Sequence, residues 1–224
     1  MIVLERVTHR FGERTVLRDL SVALPERRVG VVGDNGSGKS TLARLLNGLV
    51  VPTAGRVLVD GLDTKRDGRE IRRKVGFVFT DPDAQIVMPT VAEDVAFGLR
   101  RSGLPRPVVR ARVHAALTAY GLADHADHPA YLLSGGEKQL LALASVLVTE
   151  PALLVCDEPT TLLDRRNARR VVALLHDLPQ QVVLVTHHLE LLAGFERVLV
   201  LEDGRLVDDG PPDPVLVAYR ERAG

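Results

Sequence analysis

The fold is decided by one stretch of the chain, Gly33-Asp34-Asn35-Gly36-Ser37-Gly38-Lys39-Ser40-Thr41. It directly follows the apolar run 29–32 and precedes leucines at helical spacing, at positions 42, 45, 46 and 49. A glycine-rich loop between a buried strand and a helix is the setting of a phosphate-binding loop. The alternative, a glycine-rich turn with an accidental Lys-Ser pair, has a chance of roughly 1% in a chain of this length. The stretch, called the phosphate loop below, therefore predicts a nucleotide site at the end of a strand.

The chemistry of the phosphate loop assigns a role to each of its parts. The glycines let consecutive backbone N–H groups turn inward, and the N-terminus of the following helix directs its positive end toward phosphate oxygens. We expect Lys39 to reach the β- and γ-phosphates of a nucleoside triphosphate, and the Ser40 hydroxyl to ligate Mg²⁺. All nine residues of the loop are predicted to line the nucleotide site.

Composition limits the class of protein. The 224 residues carry 29 Lys and Arg against 29 Asp and Glu, and 46% are apolar. This supports one sizeable core and a single domain over residues 1–224. A net charge of +0 disfavours nucleic-acid binding through bulk charge. Cys156 is the single cysteine, which fits a reducing compartment. No stretch has the 18 apolar residues of a spanning helix, and the N-terminus lacks a signal-peptide pattern, so we expect a chain that stays in the cytoplasm.

Short apolar runs rich in Val and Leu predict the fold class. Runs that are apolar at nearly every position are typical of strands buried on both faces of a parallel sheet. They cover residues 29–32, 75–79, 153–156, 182–185 and 198–201. The first sixty residues alternate instead, over 2–7, 15–24 and 56–59, which indicates a smaller antiparallel patch. We therefore expect an α/β fold with a mainly parallel core sheet, an N-terminal antiparallel patch and a helical subdomain over about residues 88–150.

One of these apolar runs ends in two carboxylates, Asp157 and Glu158. An acidic residue at the carboxyl end of a parallel strand lies beside the crevice that holds a phosphate loop. There Asp157 can hold Mg²⁺ through water, and Glu158 can act as a general base toward an attacking water. A strand that merely exits to solvent can end in the same way, but the presence of the phosphate loop favours the catalytic interpretation.

A second glycine-containing segment begins an apolar helix. It reads Leu133-Ser134-Gly135-Gly136-Glu137. Ser134 is predicted to be the N-cap, with Glu137 closing a capping box, and Thr90 with Glu93 repeats this pattern at an earlier helix. A Ser-Gly-Gly start also leaves backbone donors bare for a phosphate, so both interpretations can hold together. Residues 134–137 are called the Ser-Gly-Gly segment below.

Five motifs in a fixed order identify a family. They are the phosphate loop, Leu133-Ser-Gly-Gly-Glu137, Asp157-Glu-Pro-Thr160, Leu162-Leu-Asp164 and Val185-Thr-His187. Together they strongly resemble the nucleotide-binding subunit of ATP-binding cassette (ABC) transporters, over essentially the whole chain. The resemblance implies that ATP is sandwiched between the phosphate loop of one subunit and Ser134, Gly135, Gly136 and Glu137 of another. It implies a dimer with two competent sites, most simply of two identical chains.

The resemblance also implies roles for three single residues. Phe11 matches the aromatic residue that stacks on adenine, Asp164 the loop that communicates across the dimer, and His187 the γ-phosphate sensor. Each has a structural alternative: Phe11 can pack on the antiparallel patch, Asp164 can cap the next helix, and His187 can be a hydrogen-bonded residue at a strand end. His125 and His128 have no ligand spacing and are predicted to be surface residues.

Residues 77–98 indicate which branch of this family the chain resembles. Pro82-Asp-Ala-Gln85 and Glu93-Asp-Val-Ala-Phe-Gly98 resemble the ATPases of energy-coupling-factor (ECF) importers of vitamins and metal ions. The wider family places a glutamine directly after this strand, where it touches Mg²⁺ and the attacking water, and this chain has Thr80 there. Either the Thr80 hydroxyl or the Gln85 amide then takes that position, and the sequence leaves both open.

The resemblance implies an ATPase coupled to transport, with ATP and Mg²⁺ as its ligands, most like the ATPase of a biotin importer. Cobalt and nickel importers are the alternative. Glu158 is the expected general base, and Lys39 with Mg²⁺ stabilises the transition state. The expected partners are a transmembrane coupling subunit, a substrate-binding membrane subunit and a second ATPase copy, at the cytoplasmic face of the membrane. A chromosome-organising ATPase would need heptads between Lys39 and Ser134, and a regulatory module commonly lacks Glu158.

Overall fold

The structure, a computed structural model, describes residues 1–223. Its strands are β1 (Ile2–Phe11), β2 (Arg14–Leu24), β3 (Arg28–Gly33), β4 (Ala54–Val59), β5 (Leu62–Asp63), β6 (Val75–Val78), β7 (Leu153–Asp157), β8 (Gln181–Val185), β9 (Arg197–Glu202) and β10 (Arg205–Gly210). Its helices are α1 (Lys39–Leu46), α2 (Gly68–Lys74), α3 (Val91–Gly98), α4 (Arg106–Ala119), α5 (Gly135–Leu147), α6 (Arg165–Asp177) and α7 (Pro212–Ala223).

The larger sheet positions the functional groups. Its strand order is β10-β9-β3-β8-β7-β6. Strands β9, β3, β8, β7 and β6 run parallel, and β10 pairs antiparallel with β9 at the edge. Every residue of β3 and β7 is buried, as expected for strands covered on both faces. Strand β8 lies between β3 and β7, and all three strands run parallel. The segments that follow them therefore meet at the end of the sheet where these strands have their carboxyl ends.

The smaller sheet is the antiparallel patch that the sequence predicts. Its order is β2-β1-β4-β5, and every pairing in it is antiparallel. Ile2, Leu4 and Val7 of β1 are buried. They belong to the same apolar cluster as the buried face of α1, so this patch and the core sheet enclose that helix.

The core sheet separates two apolar clusters. Val183 and Val185 of β8 face the cluster that contains α1 and the antiparallel patch. Val182 and Leu184, the alternate residues of the same strand, face a second cluster formed with the helices from α3 to α7. This alternation follows from the two-residue period of a strand, and it covers both faces of the sheet.

The structure confirms the α/β class and the predicted strands, with small differences at their ends. It also confirms both capping boxes, Thr90 with Glu93 at α3 and Ser134 with Glu137 at α5. Helices α2 and α7 are additions that the sequence pattern did not indicate. The subdomain boundaries at about residues 88–150 remain a prediction, although α3, α4 and α5 fall within them. Across residues 1–223, no helix is both long and apolar enough to cross a membrane.

Candidate nucleotide site

Two glycines fix the path of the phosphate loop by close backbone contacts. Gly33 has a φ of +146°, and a Cβ atom there would lie 2.1 Å from the carbonyl oxygen of Leu201. Gly38 has a φ of +103°, and its Cβ would lie 2.6 Å from Cδ2 of Leu17. Any other residue would be strained and would displace these neighbours. The loop is therefore pressed against β9 and β2, in a conformation that requires glycine.

The N-terminus of α1 offers free donors to an anion. Within residues 1–223, no side chain caps this helix, whose N-cap is Gly38. Its first amides are therefore directed outward without a side-chain acceptor, as in an anion site at a helix start. Lys39 Nζ donates to the carbonyl oxygens of Gly33 at 2.7 Å and Asp34 at 2.9 Å, and burial lowers its pKa. These groups fit a bound polyphosphate.

Ser40 and Asp157 place two oxygen atoms that can ligate a metal ion at the base of the loop. Ser40 Oγ donates to Oδ1 of Asp157 at 2.8 Å, and Asp157 is 2% exposed. Burial raises the pKa of this carboxyl, because the hydrogen bond from Ser40 and the guanidinium of Arg44, 4.0 Å away, compensate the lost hydration only in part. A hydroxyl and a carboxylate at one point are the hard oxygen ligands that Mg²⁺ takes, so the residues present fit this ion.

Glu158 and His187 meet where β7 and β8 end. Nδ1 of His187 lies 2.7 Å from Oε2 of Glu158, and the Thr161 hydroxyl donates to the same oxygen at 3.2 Å. Glu158 has a positive φ of 53°, and its backbone N–H donates to the carbonyl oxygen of Val185 at 3.0 Å. A non-glycine residue rarely adopts this conformation, and here the β7–β8 junction holds it.

Lys39, Ser40 and Glu158 share one cavity of about 320 Å³. Its lining combines the phosphate loop with the end of β1 and the carboxylate after β7, through Phe11, Arg14, Val16, Asn35, Gly36, Gly38, Lys39, Ser40, Thr41 and Glu158. Phe11 is 54% exposed, and its ring makes an edge contact with the ring of His9, at 4.6 Å between centroids. Its exposure argues against the packing role that the sequence left open, and leaves its ring free at the mouth of the cavity.

The structure gives Thr80 and Gln85 different hydrogen-bond partners. Thr80 Oγ1 donates to the backbone carbonyl of Asp157 at 2.7 Å, beside the two oxygen donors. The Gln85 side chain is instead bonded to strand β6: its Oε1 accepts from the N–H of Phe79 at 3.1 Å, and its Nε2 donates to the carbonyl oxygen of Phe77 at 3.3 Å. In this conformation the amide of Gln85 is directed at the backbone rather than at the phosphate loop.

The Ser-Gly-Gly segment and Asp164 lie outside the cavity of the phosphate loop, but they lie close to each other. Asp164 caps α6, with Oδ1 accepting from the N–H of Asn167 and Oδ2 from its side-chain amide, both at 2.9 Å. A Cβ atom at Gly136 would lie 2.9 Å from Nδ2 of the same asparagine. Asn167 therefore joins the two segments, a contact that the sequence pattern did not indicate.

Two polar contacts at the start of α5 were not predicted. Lys138 Nζ lies 2.7 Å from Oδ1 of Asp83, which links the start of α5 to the loop after β6. His125 Nε2 lies 3.8 Å from Oε1 of Glu137, and its side chain is 33% exposed. His128 is exposed, as predicted, and His125 is half-buried because a folded loop brings it against the helix start.

Sequence relatives agree with the motifs. The family model described as ABC transporter matches residues 17–161. A protein of Deinococcus radiodurans described as an ABC transporter ATP-binding protein is 59% identical over 222 residues, which cover 99% of this chain and 98% of that protein. The biotin transport ATP-binding protein BioM of Rhizobium etli is 48% identical over 213 residues, 95% of each chain. An energy-coupling factor transporter ATP-binding protein of Symbiobacterium thermophilum is 47% identical over 202 residues, 87% of this chain and 70% of that protein.

Solved structures agree with the fold. The cbiO1 protein of Clostridium perfringens, part of the ABC transporter complex cbiONQ, matches with a TM-score of 0.87 and 31% identity, over 98% of this chain and 92% of that one. A dimeric ATP-binding cassette in a post-hydrolysis state, bound to ADP and Pi, matches with a TM-score of 0.84 and 30% identity, over 95% of this chain and 99% of that one. The predicted cassette fold is thereby confirmed. Since the family model covers more than half of the residues and the Deinococcus and Rhizobium relatives align almost end to end, the chain belongs to the ABC transporter family.

Proposed function

We propose that this chain is the ATP-hydrolysing subunit of an ECF-type importer and that the imported substrate is biotin. The observation that carries the activity is the meeting of three segments at one sheet edge. Lys39 follows β3, Asp157 and Glu158 end β7, and His187 follows β8. One chain thus brings together a phosphate cradle, oxygen ligands for Mg²⁺ and a carboxylate base, which are the components of phosphoryl transfer to water.

The geometry supports a role for each side chain in hydrolysis. Lys39 exchanges its two loop carbonyls for phosphate oxygens, because an ammonium near the β- and γ-phosphates offsets their charge. Mg²⁺, held by Ser40 and Asp157, would neutralise charge that develops on the transferred phosphoryl group. Oε1 of Glu158 remains available to accept the proton of the attacking water, while His187 and Thr161 hold Oε2. His187 thus orients the base from the neighbouring strand end.

A second copy of the chain completes the site in this proposal. The capping box at the start of α5 engages the N–H groups of Ser134 and Glu137 and leaves out those of Gly135 and Gly136, and the segment lies outside the cavity of its own phosphate loop. Two glycine amides at a helix start suit a phosphate, so in this proposal the phosphate they serve belongs to another subunit. The dimeric cassette bound to ADP and Pi supports this arrangement. We propose a homodimer, since every hydrolytic group is present in one chain and two-fold dimers are the commonest soluble assemblies.

The membrane partner is proposed to bind a groove between α3 and α4, called the α3–α4 groove below. This cavity of about 460 Å³ is lined mainly by small and apolar side chains, Ala92, Ala96, Val109, Val113, Leu117, Ala123 and Ala126, with Glu93, Arg110 and His114 at its polar edge. Such a groove suits a short amphipathic helix. We propose that a helix of the transmembrane coupling subunit occupies it, which would place the chain at the cytoplasmic face of the membrane.

The biotin assignment rests on the relatives. The similarity to the Rhizobium etli biotin transport protein covers 95% of this chain, which exceeds the coverage by the energy-coupling factor relative. Substrate choice itself belongs to the membrane subunits, so the ATPase alone does not determine it. We therefore propose a complex with a coupling subunit and a substrate-binding membrane subunit.

The test is reconstitution. The chain would be co-purified with its coupling and substrate-binding subunits and inserted into lipid vesicles that enclose Mg·ATP, with the ATPase facing the lumen. We expect uptake of labelled biotin that requires Mg·ATP in the lumen, and no uptake of labelled cobalt or nickel ions. A complex carrying Lys39→Ala should show neither ATP binding nor uptake. Import of cobalt or nickel without biotin would contradict the proposed substrate, and a wild-type complex that does not hydrolyse ATP would contradict the proposed activity.

A further inference from the structure

The C-terminal helix α7 contacts the phosphate loop through one side chain. The hydroxyl of Tyr219 donates to Oδ1 of Asp34 at 3.1 Å. Burial, together with this hydrogen bond, raises the pKa of Tyr219 to about 12. The phenol therefore remains a donor throughout the neutral range. Tyr219 and Asp34 are 185 positions apart, so the sequence pattern gives no sign of this contact.

Helix α7 is held firmly on the core sheet. Val215 and Leu216 are 5% and 7% exposed and belong to the apolar cluster under α7, against which the Tyr219 ring also packs. At the end of the helix, Arg222 pairs with Asp208 of β10 at 3.0 Å and with Glu202 of β9 at 3.6 Å. With its ring packed and its helix paired at two points, Tyr219 presents its hydroxyl from a fixed position.

Asp34 places a negative charge in a loop that binds anions. A carboxylate near a polyphosphate is repelled, and the repulsion is stronger in a partly buried site than in water. Asp34 lines the cavity on the α7 side of the loop, of about 360 Å³, together with Arg14, Ser37, Tyr219 and Arg222. It is not among the residues that line the cavity with Lys39 and Glu158. The carboxylate thus faces α7.

The same residue carries part of the lysine site. The backbone carbonyl of Asp34 accepts from Lys39 Nζ at 2.9 Å, while its side chain accepts from Tyr219. The residue is therefore held at two points, one on each side of the loop. A change in the side-chain contact would alter both the direction of the carboxylate and the freedom of the loop segment beneath Lys39.

We infer that Tyr219 is a positioning residue for nucleotide binding: it holds the Asp34 carboxylate on the α7 side of the phosphate loop, away from the phosphates. The inference rests on the nucleotide site proposed above. It makes the affinity for ATP depend on the seating of α7. Loss of the hydroxyl frees the carboxylate to turn toward the phosphates and adds loop entropy that binding must then remove, so nucleotide binding weakens.

The test is a double-mutant cycle on the full-length chain, with a fluorescent ATP analogue and Mg²⁺ as the probe. Tyr219→Phe keeps the packed ring and removes only the hydroxyl, and we expect the Kd to rise about three- to tenfold. In the Asp34→Ala background the same substitution should leave the Kd unchanged, because the restrained charge is gone. Tyr120→Phe, which removes a phenol hydroxyl on the α4 side of the molecule, is the matched control and should leave the Kd unchanged. Thermal unfolding of each variant checks folding.

The outcomes separate the inference from the function on which it rests. A wild-type chain that does not bind the probe overturns the nucleotide site and the inference together. A wild-type chain that binds, with a Tyr219→Phe variant of equal affinity, overturns the inference alone. Equal weakening by Tyr219→Phe with and without Asp34→Ala also overturns it, because Tyr219 would then act only through the general packing of α7.

Discussion

Nδ1 of His187 lies 2.7 Å from Oε2 of Glu158, and this contact joins the ends of two neighbouring parallel strands. The two side chains come from positions 29 residues apart, and they meet because β7 and β8 end at the same edge of the sheet. Glu158 is accordingly held on one oxygen, and its other oxygen is left for chemistry. The atom left for proton transfer is therefore Oε1 of Glu158.

Glu158→Gln should abolish hydrolysis while preserving nucleotide binding. The amide keeps the shape of the side chain and can still accept from His187 and Thr161 through its oxygen, but it is not a base at neutral pH. We expect the turnover of ATP to fall about 10²- to 10⁴-fold. Affinity for Mg·ATP should stay within about twofold of wild type, since no group that binds phosphate has been removed. Steady-state kinetics and equilibrium titration measure the two effects separately.

Glu190→Gln is the matched control for this substitution. Oε1 of Glu190 lies 3.7 Å from Nδ1 of the neighbouring His188, and the residue is exposed and does not line the phosphate-loop cavity. The same chemical change there should leave turnover unaltered. Equal loss of activity in both variants, or full activity of Glu158→Gln, would contradict the assignment of Glu158 as the base.

Asp157→Asn should stabilise the nucleotide-free protein while removing its Mg²⁺-dependent activity. Burial raises the pKa of this carboxyl, so the folded state binds its proton more tightly than the unfolded chain does. The stability that the group contributes is complete below its ordinary pKa and is lost as pH rises through the folded-state value. At neutral pH the buried charge therefore costs stability, and asparagine removes that cost while still accepting from Ser40.

We expect the thermal midpoint of Asp157→Asn at neutral pH to exceed wild type by about 2–4 °C, measured without nucleotide or Mg²⁺. The difference should shrink as the pH falls, because Asp157 then becomes protonated in the wild-type protein. Asp127→Asn, at an exposed position, serves as the control and should leave the midpoint unchanged. A midpoint that falls at neutral pH would show that the charged carboxylate stabilises the fold.

Thr80→Ala should lower turnover, whereas Gln85→Ala should lower stability. Thr80 touches Asp157 directly, so its loss should lower turnover about tenfold with little change in stability. Gln85 holds the loop after β6, so its loss should cost about 1–3 kcal/mol of stability while the folded fraction keeps its turnover. Turnover per folded molecule and denaturant unfolding measure both quantities. A catalytic defect confined to Gln85→Ala would assign the position near the attacking water to Gln85 in the nucleotide-bound state.

Local signals allowed much of the site to be predicted from the sequence. Each of these signals lies within fewer than ten consecutive residues: the phosphate loop, the carboxylates at the end of β7 and the two capping boxes. Backbone turns at glycine, neighbouring acidic side chains and helix caps all depend on residues that are close in the sequence. The roles of the Ser-Gly-Gly segment, Asp164 and His187 came from the family resemblance that the order of the motifs carries. Helix α2 was not predicted, because a short polar segment has weak periodicity.

Contacts between distant segments were not predictable in the same way. The sequence left Thr80 and Gln85 as equal candidates, since their difference depends on where β6 and β7 lie in space. The contacts of Asn167 with Gly136 and of Tyr219 with Asp34 likewise join segments separated by many residues. One sequence does not indicate such pairs, because each partner fits the secondary-structure pattern of its own segment.

Ala96→Glu should separate transport from nucleotide binding. Ala96 lies in the α3–α4 groove, and a carboxylate there would fill the space and place a charge among apolar side chains. Arg110→Glu changes the charge at the edge of the same groove, at an exposed position where the fold tolerates substitution. If a helix of the coupling subunit occupies the groove, both variants should lose capture of that subunit and vesicle uptake together, by about tenfold or more. Both should keep wild-type affinity for ATP, because neither residue lines the phosphate-loop cavity.

Ala111→Glu introduces the same carboxylate on the exposed side of α4, outside the groove, and is the matched control. It should retain capture of the coupling subunit, uptake and ATP binding. Arg110→Glu protects the test against a folding defect in Ala96→Glu, since a substitution at an exposed position usually changes stability by no more than about 0.5 kcal/mol. If both groove variants capture the coupling subunit and support uptake at the wild-type rate, the groove is not the docking site. The apolar residues of α3 and α4 then serve only their own packing, and the membrane partner binds another face.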